Sequence, residues 1–545
     1  MLAVLIMRAH RSVCLALTVI GLALTAYAGS TNTIGLILNT TNASPGYTLF
    51  SSLRYTNTYL INNEGELVNL WRTPFVPGNT QYLLENGNLM RSADPDSLST
   101  ISAGGDAGMV QEFDWDGNLL WEFSYIDDTR RAHHDIAVLP NGNVLMIAWE
   151  VKTKAEAIAA GMNPAAFFPN QEIWPEHIIE VQAVGTNSGN IVWEWHVWDH
   201  LIQDFDPTND NFGVVAEHPE LIDINYQDPV FQDLLHFNAI DYNASLDQII
   251  LSCPFYDEFW VIDHSSTTTE AAGHTGGNSG RGGDILYRWG NPHAYGAGDS
   301  TDQKLFFQHD AEWIDPGLPG AGNILVFNNG GERPEGVFST IEEIAPPVDA
   351  NGIYTNPPPG TAFGPTSTVW TYMSDPPEDL YSRGLSGADR LPNGNTLICE
   401  GRSGHFLEVT PGSNLVWHYI NPVGANGPSL QGLAFSNITF RADRYPLDHP
   451  AFSGRDLTPK GFVALDPDAV FQFESVSRTA SEATFSWVSL PGVAYSLRNS
   501  PSLENPAWST VATIVADGTL TTAIDHDPAR LNQDPGFYQV LENPD

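Results

Sequence analysis

HHDIAVLPNGNVLMIAWE, residues 133–150, decides the fold. Two apolar runs flank Pro-Asn-Gly-Asn, and Asn-Gly between such runs is the strongest short hairpin signal, in which both turn residues are expected at positive φ. The same pattern recurs as YLLENGNLM (82–90), EWIDPGLPGAGNILVF (312–327) and DRLPNGNTLIC (389–399). A second type alternates with it: GELVNLW (65–71), GNLLWEF (117–123), GNIVWEW (189–195), GDILYRW (283–289), STVWTY (367–372) and SNLVWHY (413–419). Each is a strand leaving a turn, rich in β-branched and aromatic residues. Only Thr153–Ala160 reads as helical.

Working outward, six such units over about 420 residues describe a radial array of four-stranded sheets. The chain is therefore expected to be all-β: a six-bladed β-propeller over 29–446, a Pro/Asp-rich linker over 447–469, and a small C-terminal β-sandwich of about seven strands over 470–545. Insertions 197–230 and 264–282 are expected to cap one face. Ring closure is expected from strands near Ile34–Trp71 pairing with a strand around Leu433–Arg441. The Trp column (Trp121, Trp193, Trp370, Trp417) is expected to pack sheet against sheet.

Residues 1–28 carry Arg8 and Arg11, an apolar run and Ala26-Tyr27-Ala28 before Gly29, the layout of a secretory signal peptide. The run is shorter than the roughly 20 residues of a membrane span. The chain is expected to be exported, periplasmic or extracellular, with no span after cleavage. Cleavage moves the formal charge from −42 to −44. Lysine occurs only at Lys152, Lys154, Lys304 and Lys460. Such an acidic surface argues against nucleic acid or an anionic membrane as partner and suits a salty medium. Cys253 and Cys399, the two cysteines beyond the leader, are too few for a disulfide framework.

Five residues before Leu84, Leu139, Asp241, Ile314 and Leu391 stand Asn79, His134, His236, His309 and Ser386. Three histidines thus occupy one register at the start of the innermost strand, where propeller side chains converge on the axis. Asn238 follows His236 by two and should share its face, while His133 should point away. Three neutral imidazoles around an axis could also ligate zinc or copper. The run Asp114-Trp-Asp-Gly-Asn118 and the group Asp204, Asp206, Asp210 are weaker calcium candidates, the first lying where a hairpin turn is needed.

Taken in order, YLLENGNLMRS (82–92), HHDIAVLPNGNVLMIAWE, LHFNAIDYN (235–243), FWVIDHS (259–265), GDILYRWGNP (283–292), FFQHDAEWI (306–314), NILVFNNG (323–330) and RLPNGNTLICEGRSGHFLEVTP (390–411) resemble the aryl-sulfate sulfotransferase family of secreted bacterial six-bladed propellers. The resemblance spans about Ile34 to Pro446. It implies transfer of a sulfuryl group from a phenolic sulfate ester to a phenol acceptor, without a cofactor, through a sulfohistidine. His309 of QHD matches the nucleophile, His236 and Asn238 of HFN the groups holding the sulfuryl oxygens, and His134 of HHD a further active-site histidine acting as acid or base. The family's arginine is expected near Ser252–Phe255, where the chain reads SCPF; Arg402, and more weakly Arg333, are the candidates to replace it as the substrate-binding charge. A propeller that binds a glycan or protein without catalysis is the competing expectation.

Overall fold

In the computed structural model the described residues are 5–7, 32–95, 99–167, 171–227, 232–431, 436–464, 473–479, 481–489, 492–502, 507–518, 520–532 and 536–542. They form an all-β chain of antiparallel sheets, mostly four-stranded. The first sheet orders Ala442–Pro446, Gly46–Ser51, Thr58–Asn62 and Leu67–Trp71; the second Val76–Leu83, Leu89–Asp94, Met109–Phe113 and Leu119–Ser124. The third is Arg130–Val138, Val144–Glu150, Glu176–Val184 and Ser188–His196. Ala239–Asn243, Gln248–Cys253, Glu258–Asp263 and Tyr287–Trp289 make the fourth, and His309–Trp313, Ile324–Asn328, Thr340–Ile344 and Trp370–Tyr372 the fifth. In the sixth, Gly35–Asn39 adds a fifth strand outside Ser386–Arg390, Thr396–Glu400, His405–Val409 and Leu415–Ile420.

The hairpins form where Asn-Gly stands, but by a different turn from the one expected. Only the glycine takes positive φ (84° at Gly142, 87° at Gly394). Gly142 N–H donates to Leu139 O at 2.8 Å and Leu139 N–H to Asn143 O at 2.9 Å, a type I turn closed by a left-handed glycine. Asp114–Asn118 is the same turn, with Asp114 accepting from the backbone of Asp116 and Asn118, so its carboxylate serves the hairpin.

Consecutive sheets enclose one apolar cluster each: Trp71 with Phe113, Trp121 with Met146, Trp195 with Trp260, Tyr287 with Val326, Phe327 with Ile398, and Trp417 with Phe50. The sixth sheet thereby packs back on the first. Burial of such faces is the main stabilising term, roughly 25 cal/mol per Å² of apolar surface. Indole N–H groups stitch the same seams: Trp121 donates to Ser188 O, Trp370 to Pro411 O and Trp417 to Asn63 O, each across to the following sheet. Trp193 instead packs its ring on His264 at 4.8 Å. The Trp column is inter-sheet packing, as expected.

Closure differs from expectation. The strand that pairs with Gly46–Ser51 is Ala442–Pro446, one step beyond Leu433–Arg441, of which 433–435 lie outside the described residues. LAFSNITF carries the apolar pattern, whereas ADRYP reads polar because Arg444 pairs with buried Glu408 and Asp443 lines a cavity. Helix Lys154–Ala159 forms behind a Thr153–Glu156 capping box, and two short turns, Thr268–Ala271 and Pro528–Leu531, escape the pattern. In the first insertion Leu201–Ile202 pairs in parallel with Ile222–Asp223.

The stretch expected to be a linker is docked over 447–464: Phe452 sits 4.7 Å from the Tyr47 ring, and Val463 is buried against the first sheet. Beyond it, Phe473–Arg478, Ala483–Val488 and Leu520–Asp525 face a second sheet built from Ala494–Ser500, Ser509–Val515 and Gly536–Glu542, over a core that includes Phe485, Tyr495 and Tyr538. Leu5–Met7 pairs with Gly536–Glu542; the rest of the expected signal segment lies outside the described residues. Cys253 and Cys399 are both buried and unpaired.

Candidate active site

The inner strands break register at the histidine column. Pairing slips between Pro77 and Gln81, Ala132 and Ile136, and His309 and Glu312. Asn79, His134 and His236 take positive φ (107°, 50° and 62°), as do Phe307, Asp310 and Leu385. Non-glycine residues held there cost on the order of 1–3 kcal/mol each and persist only where packing over-determines them. The consequence is that side-chain alternation fails locally. His133 does not point away: its Nδ1 lies 2.8 Å from His134 Nδ1, and its ring stacks on Trp149 at 3.8 Å. Asn238 is wholly buried, with Nδ2 donating to Gln308 O at 2.8 Å, so it braces the residue before His309.

The column itself converges. His134 and His236 rings meet edge to face at 4.5 Å, and Phe440 lies 5.9 Å from His134 and 6.1 Å from His309. Half-buried Phe255 stacks on His236 at 4.9 Å and touches Phe307 at 6.2 Å. The SCPF stretch thus delivers an aromatic ring, where a cation was expected.

His309 is held in one tautomer. Asn329 Nδ2 donates to Ser382 O at 2.7 Å, so its Oδ1 faces His309 Nδ1 at 2.9 Å as an acceptor. Phe307 O, which can only accept, lies 3.2 Å from the same nitrogen. Nδ1 therefore carries the proton and Nε2 the lone pair, with Leu385 N–H approaching Nε2 at 3.3 Å. Burial brings the imidazole down to about 4 despite the upward pull of Asn329, and His236 adds to the lowering. His134 is driven well below its ordinary value by burial, then by His236 and His133. His236 differs: its Nδ1 donates to Asp233, whose other oxygen accepts Trp149 Nε1–H at 2.9 Å. The Asp233 carboxylate thereby fixes the orientation of the His236 ring.

The buried cation at this centre is Arg441, which sequence reasoning missed. Its guanidinium bridges Asp135 of HHD at 2.9 Å and Asp310 of QHD at 2.8 Å, and donates to Tyr82 Oη at 2.9 Å. Arg402 is exposed, and its charge acts on the Glu400 carboxyl. Arg333 lies over Phe338 at 4.6 Å in the loop between Ile324–Asn328 and Thr340–Ile344. Exposed Arg383 stands beside Gly384, which borders the His309 ring. Among the described residues neither the three axial histidines nor Asp204, Asp206 and Asp210 form a group with metal-ligand spacing.

Further along the inner strands a cavity of about 500 Å³ is lined by Asp241, Asp310, Glu312, Asp389 and Asp443. Burial and then its acidic neighbours Asp315 and Asp310 push Asp389 up to about 7. A carboxyl raised on folding destabilises progressively as pH climbs from about 4 to that value. Asp389→Asn is therefore expected to melt like wild type at pH 4. Between there and pH 7 it should gain on wild type by up to about 1.4 kcal/mol for each step of one in pH. Thermal melts across that range check this.

The structure is an all-β chain of antiparallel sheets with histidines His134, His236 and His309 gathered around Phe440. The arylsulfotransferase (ASST) family profile matches residues 50–421, and the chain belongs to that family. Membership supports a sulfotransferase-type activity with small aryl sulfates and phenols as substrates. No curated protein matches the chain. Solved structures similar to it include a protein of unknown function from Bacteroides caccae (12% identity, TM-score 0.37, covering 69% of this chain and 94% of that one). A protein from Lactobacillus plantarum (10%, 0.34, 88% and 99%) and apo AztD from Citrobacter koseri (9%, 0.30, 74% and 98%) are also similar. Among the described residues no helix is long and apolar enough to cross a membrane.

Proposed function

We propose that the six sheets are the blades of one propeller and that the chain is an exported aryl-sulfate sulfotransferase working through a sulfohistidine at His309. One observation carries the reading: Asn329 and Phe307 O fix the proton on His309 Nδ1, leaving a neutral, unprotonated Nε2 at the histidine cluster. In the proposed reaction Nε2 attacks the ester sulfur, the sulfur–oxygen ester bond breaks, and the phenolate leaves with a proton from His236, while His134, kept neutral by burial, packs against the His236 ring. An acceptor phenol then gives its proton to the same base and attacks sulfur, freeing His309. Phosphoryl-like transfer spreads charge over equatorial oxygens, so donors at those oxygens matter most. Leu385 N–H and the exposed Arg383 are the proposed donors, with His236; Asn238 acts through Gln308 as a positioning residue. Phe255, Phe307 and Phe440 supply an aromatic wall suited to the phenol ring.

The test is donor turnover with a chromogenic nitrophenyl sulfate and a phenol acceptor, comparing wild type with His309→Asn; transfer retained in the variant sinks the reading. Because only neutral imidazole attacks, single-turnover donor consumption is expected to hold its rate through pH 6.5 and to fall only as pH drops through about 4. An acid limb at about 6.5, the ordinary imidazole value, would mean a solvated nucleophile instead.

A further inference from the structure

Two strands that support the axial site carry a second constellation on their opposite face. Trp149 pairs with Glu176; Trp149 reaches Asp233, and Glu176 accepts from Phe237 N–H. Alternation sends the next residues the other way. His177 lies directly across from His196 in the neighbouring strand, and Glu150 ends the strand on the other side. Each of the three offers a donor atom, all within 4.8 Å of one another.

His177 is also short of a partner. It is 2% exposed, its Nε2 meets Tyr125 Oη at 3.0 Å, and its Nδ1 has no hydrogen-bond partner among the described residues. A buried imidazole nitrogen left bare is costly and calls for an occupant. Beside it, His196 Nδ1 lies 3.1 Å from Glu150 Oε1, and His196 Nε2 lies 3.3 Å from Glu194 Oε2. Lys152 takes Glu150 Oε2 at 2.8 Å, which leaves Oε1 for a ligand role. His196 and Glu150 keep 28% and 17% side-chain exposure, an entry path from solvent.

We propose that Glu150, His177 and His196 form a zinc site on the third sheet, separate from the axial histidines, with water or Glu194 as fourth ligand. Two imidazoles and a carboxylate are the donor set zinc takes, at about 2.0–2.2 Å. Donors around such an ion lie roughly 3.3–3.5 Å apart. The His177 and His196 rings stack in parallel (centroids 4.9 Å, interplanar angle 6°), so binding turns the partly exposed His196 out of that stack. Tyr125 Oη then receives the His177 Nε2 proton and fixes the ligand tautomer.

A competing cluster, His200, His274 and Asp284, has no such bare nitrogen on its buried histidine. Asp284 Oδ1 serves both His200 Nδ1 and His274 Nδ1, and His200 Nε2 faces Ala271 O at 2.8 Å, so both His200 nitrogens are used.

Zinc must displace the proton between His196 and Glu150, so affinity should fall as pH falls. The groups facing that proton are Glu150, Glu194 and Asp199 on the acidic side, Lys152 and Arg130 on the basic side, and Tyr125.

The experiment titrates chelator-stripped full-length protein with zinc by calorimetry and with cobalt(II) by visible absorption. One equivalent is expected, with a tetrahedral cobalt spectrum and weaker binding at pH 5.5 than at pH 7.5. His196→Ala and the shape-conserving Glu150→Gln should each weaken it about tenfold or more, with unchanged circular dichroism. His274→Ala and His309→Asn should bind as wild type. No stoichiometric binding, binding indifferent to His196→Ala and Glu150→Gln, or loss of binding in His274→Ala or His309→Asn would overturn the assignment. The last two outcomes would move the ion to the neighbouring cluster or to the axis.

Discussion

His309→Asn is expected to lower transfer from an aryl sulfate donor by a thousandfold or more, to the level of donor binding without chemistry. Removing a covalent nucleophile eliminates the path rather than weakening one contact, and losses of that size or larger follow when such a group is deleted. The substitution should leave the fold intact. His309 is 7% exposed and makes its polar contacts through Nδ1 to Asn329 and Phe307 O and through Nε2 to Leu385 N–H. Melting temperature and donor dissociation constant should therefore stay near wild type while single-turnover rate collapses. A parallel loss of stability would show that the residue is structural.

Arg441→Met is expected to act in the opposite way, through folding. Among the described residues Arg441 alone bridges Asp135 and Asp310, which are 1% and 4% exposed. Asp310 has already been pushed up to about 6 by its burial, with Arg441 opposing the rise and Asp135 adding to it. Taking the guanidinium away leaves two carboxyls buried without a cation, and breaking a buried pair from one side costs about 3–5 kcal/mol. Urea melts at pH 7 measure this. Asp310→Asn in the same background should restore part of the loss, since one negative charge has gone. No destabilisation in Arg441→Met would mean that the centre is wetter than its geometry implies.

What could be read in advance, and what could not, divides along one physical line. Strand–turn–strand units were legible because Pro140-Asn141-Gly142-Asn143 and its counterparts announce themselves locally, and because Trp121 or Trp417 must be buried against a neighbour. The histidine register was legible because equivalent strand positions face the same way. The partners of those histidines were not. Asn329 reaches His309 from the next strand, Asp233 lies in the loop before its strand, and both are ordinary polar residues in sequence. His133 meets His134, and Asn238 reaches Gln308 O, because positive φ at His134 and His236 breaks the two-residue alternation of a strand. Arg441 was overlooked because it immediately precedes the closing strand Ala442–Pro446, displaced by one step from the apolar stretch that looked like that strand. A faint signal existed: HHD and QHD each place an aspartate after the histidine, and two buried carboxylates imply a cation between them.

The formal charge of −42 also takes on a sharper meaning. Acidic side chains line the cavity beyond the histidines as well as the exterior, so an anionic ester is repelled by most of the molecule. The proposed substrate is expected beside the histidines, where Arg441 offsets Asp135 and Asp310 and exposed Arg383 adds positive charge next to Gly384. High ionic strength, which screens exposed charge over about 8–10 Å, is accordingly the medium in which donor binding should be strongest.

The sulfohistidine itself is best tested by intact-mass and peptide mapping of the protein after a short exposure to aryl sulfate donor without acceptor, quenched at alkaline pH to preserve the nitrogen–sulfur bond. One added SO3 group is expected, mapped to His309, and it should disappear on addition of a phenol as the sulfated acceptor appears. Donor turnover with no adduct, or an adduct on another residue that persists in His309→Asn, would contradict a histidine-borne transfer at this site.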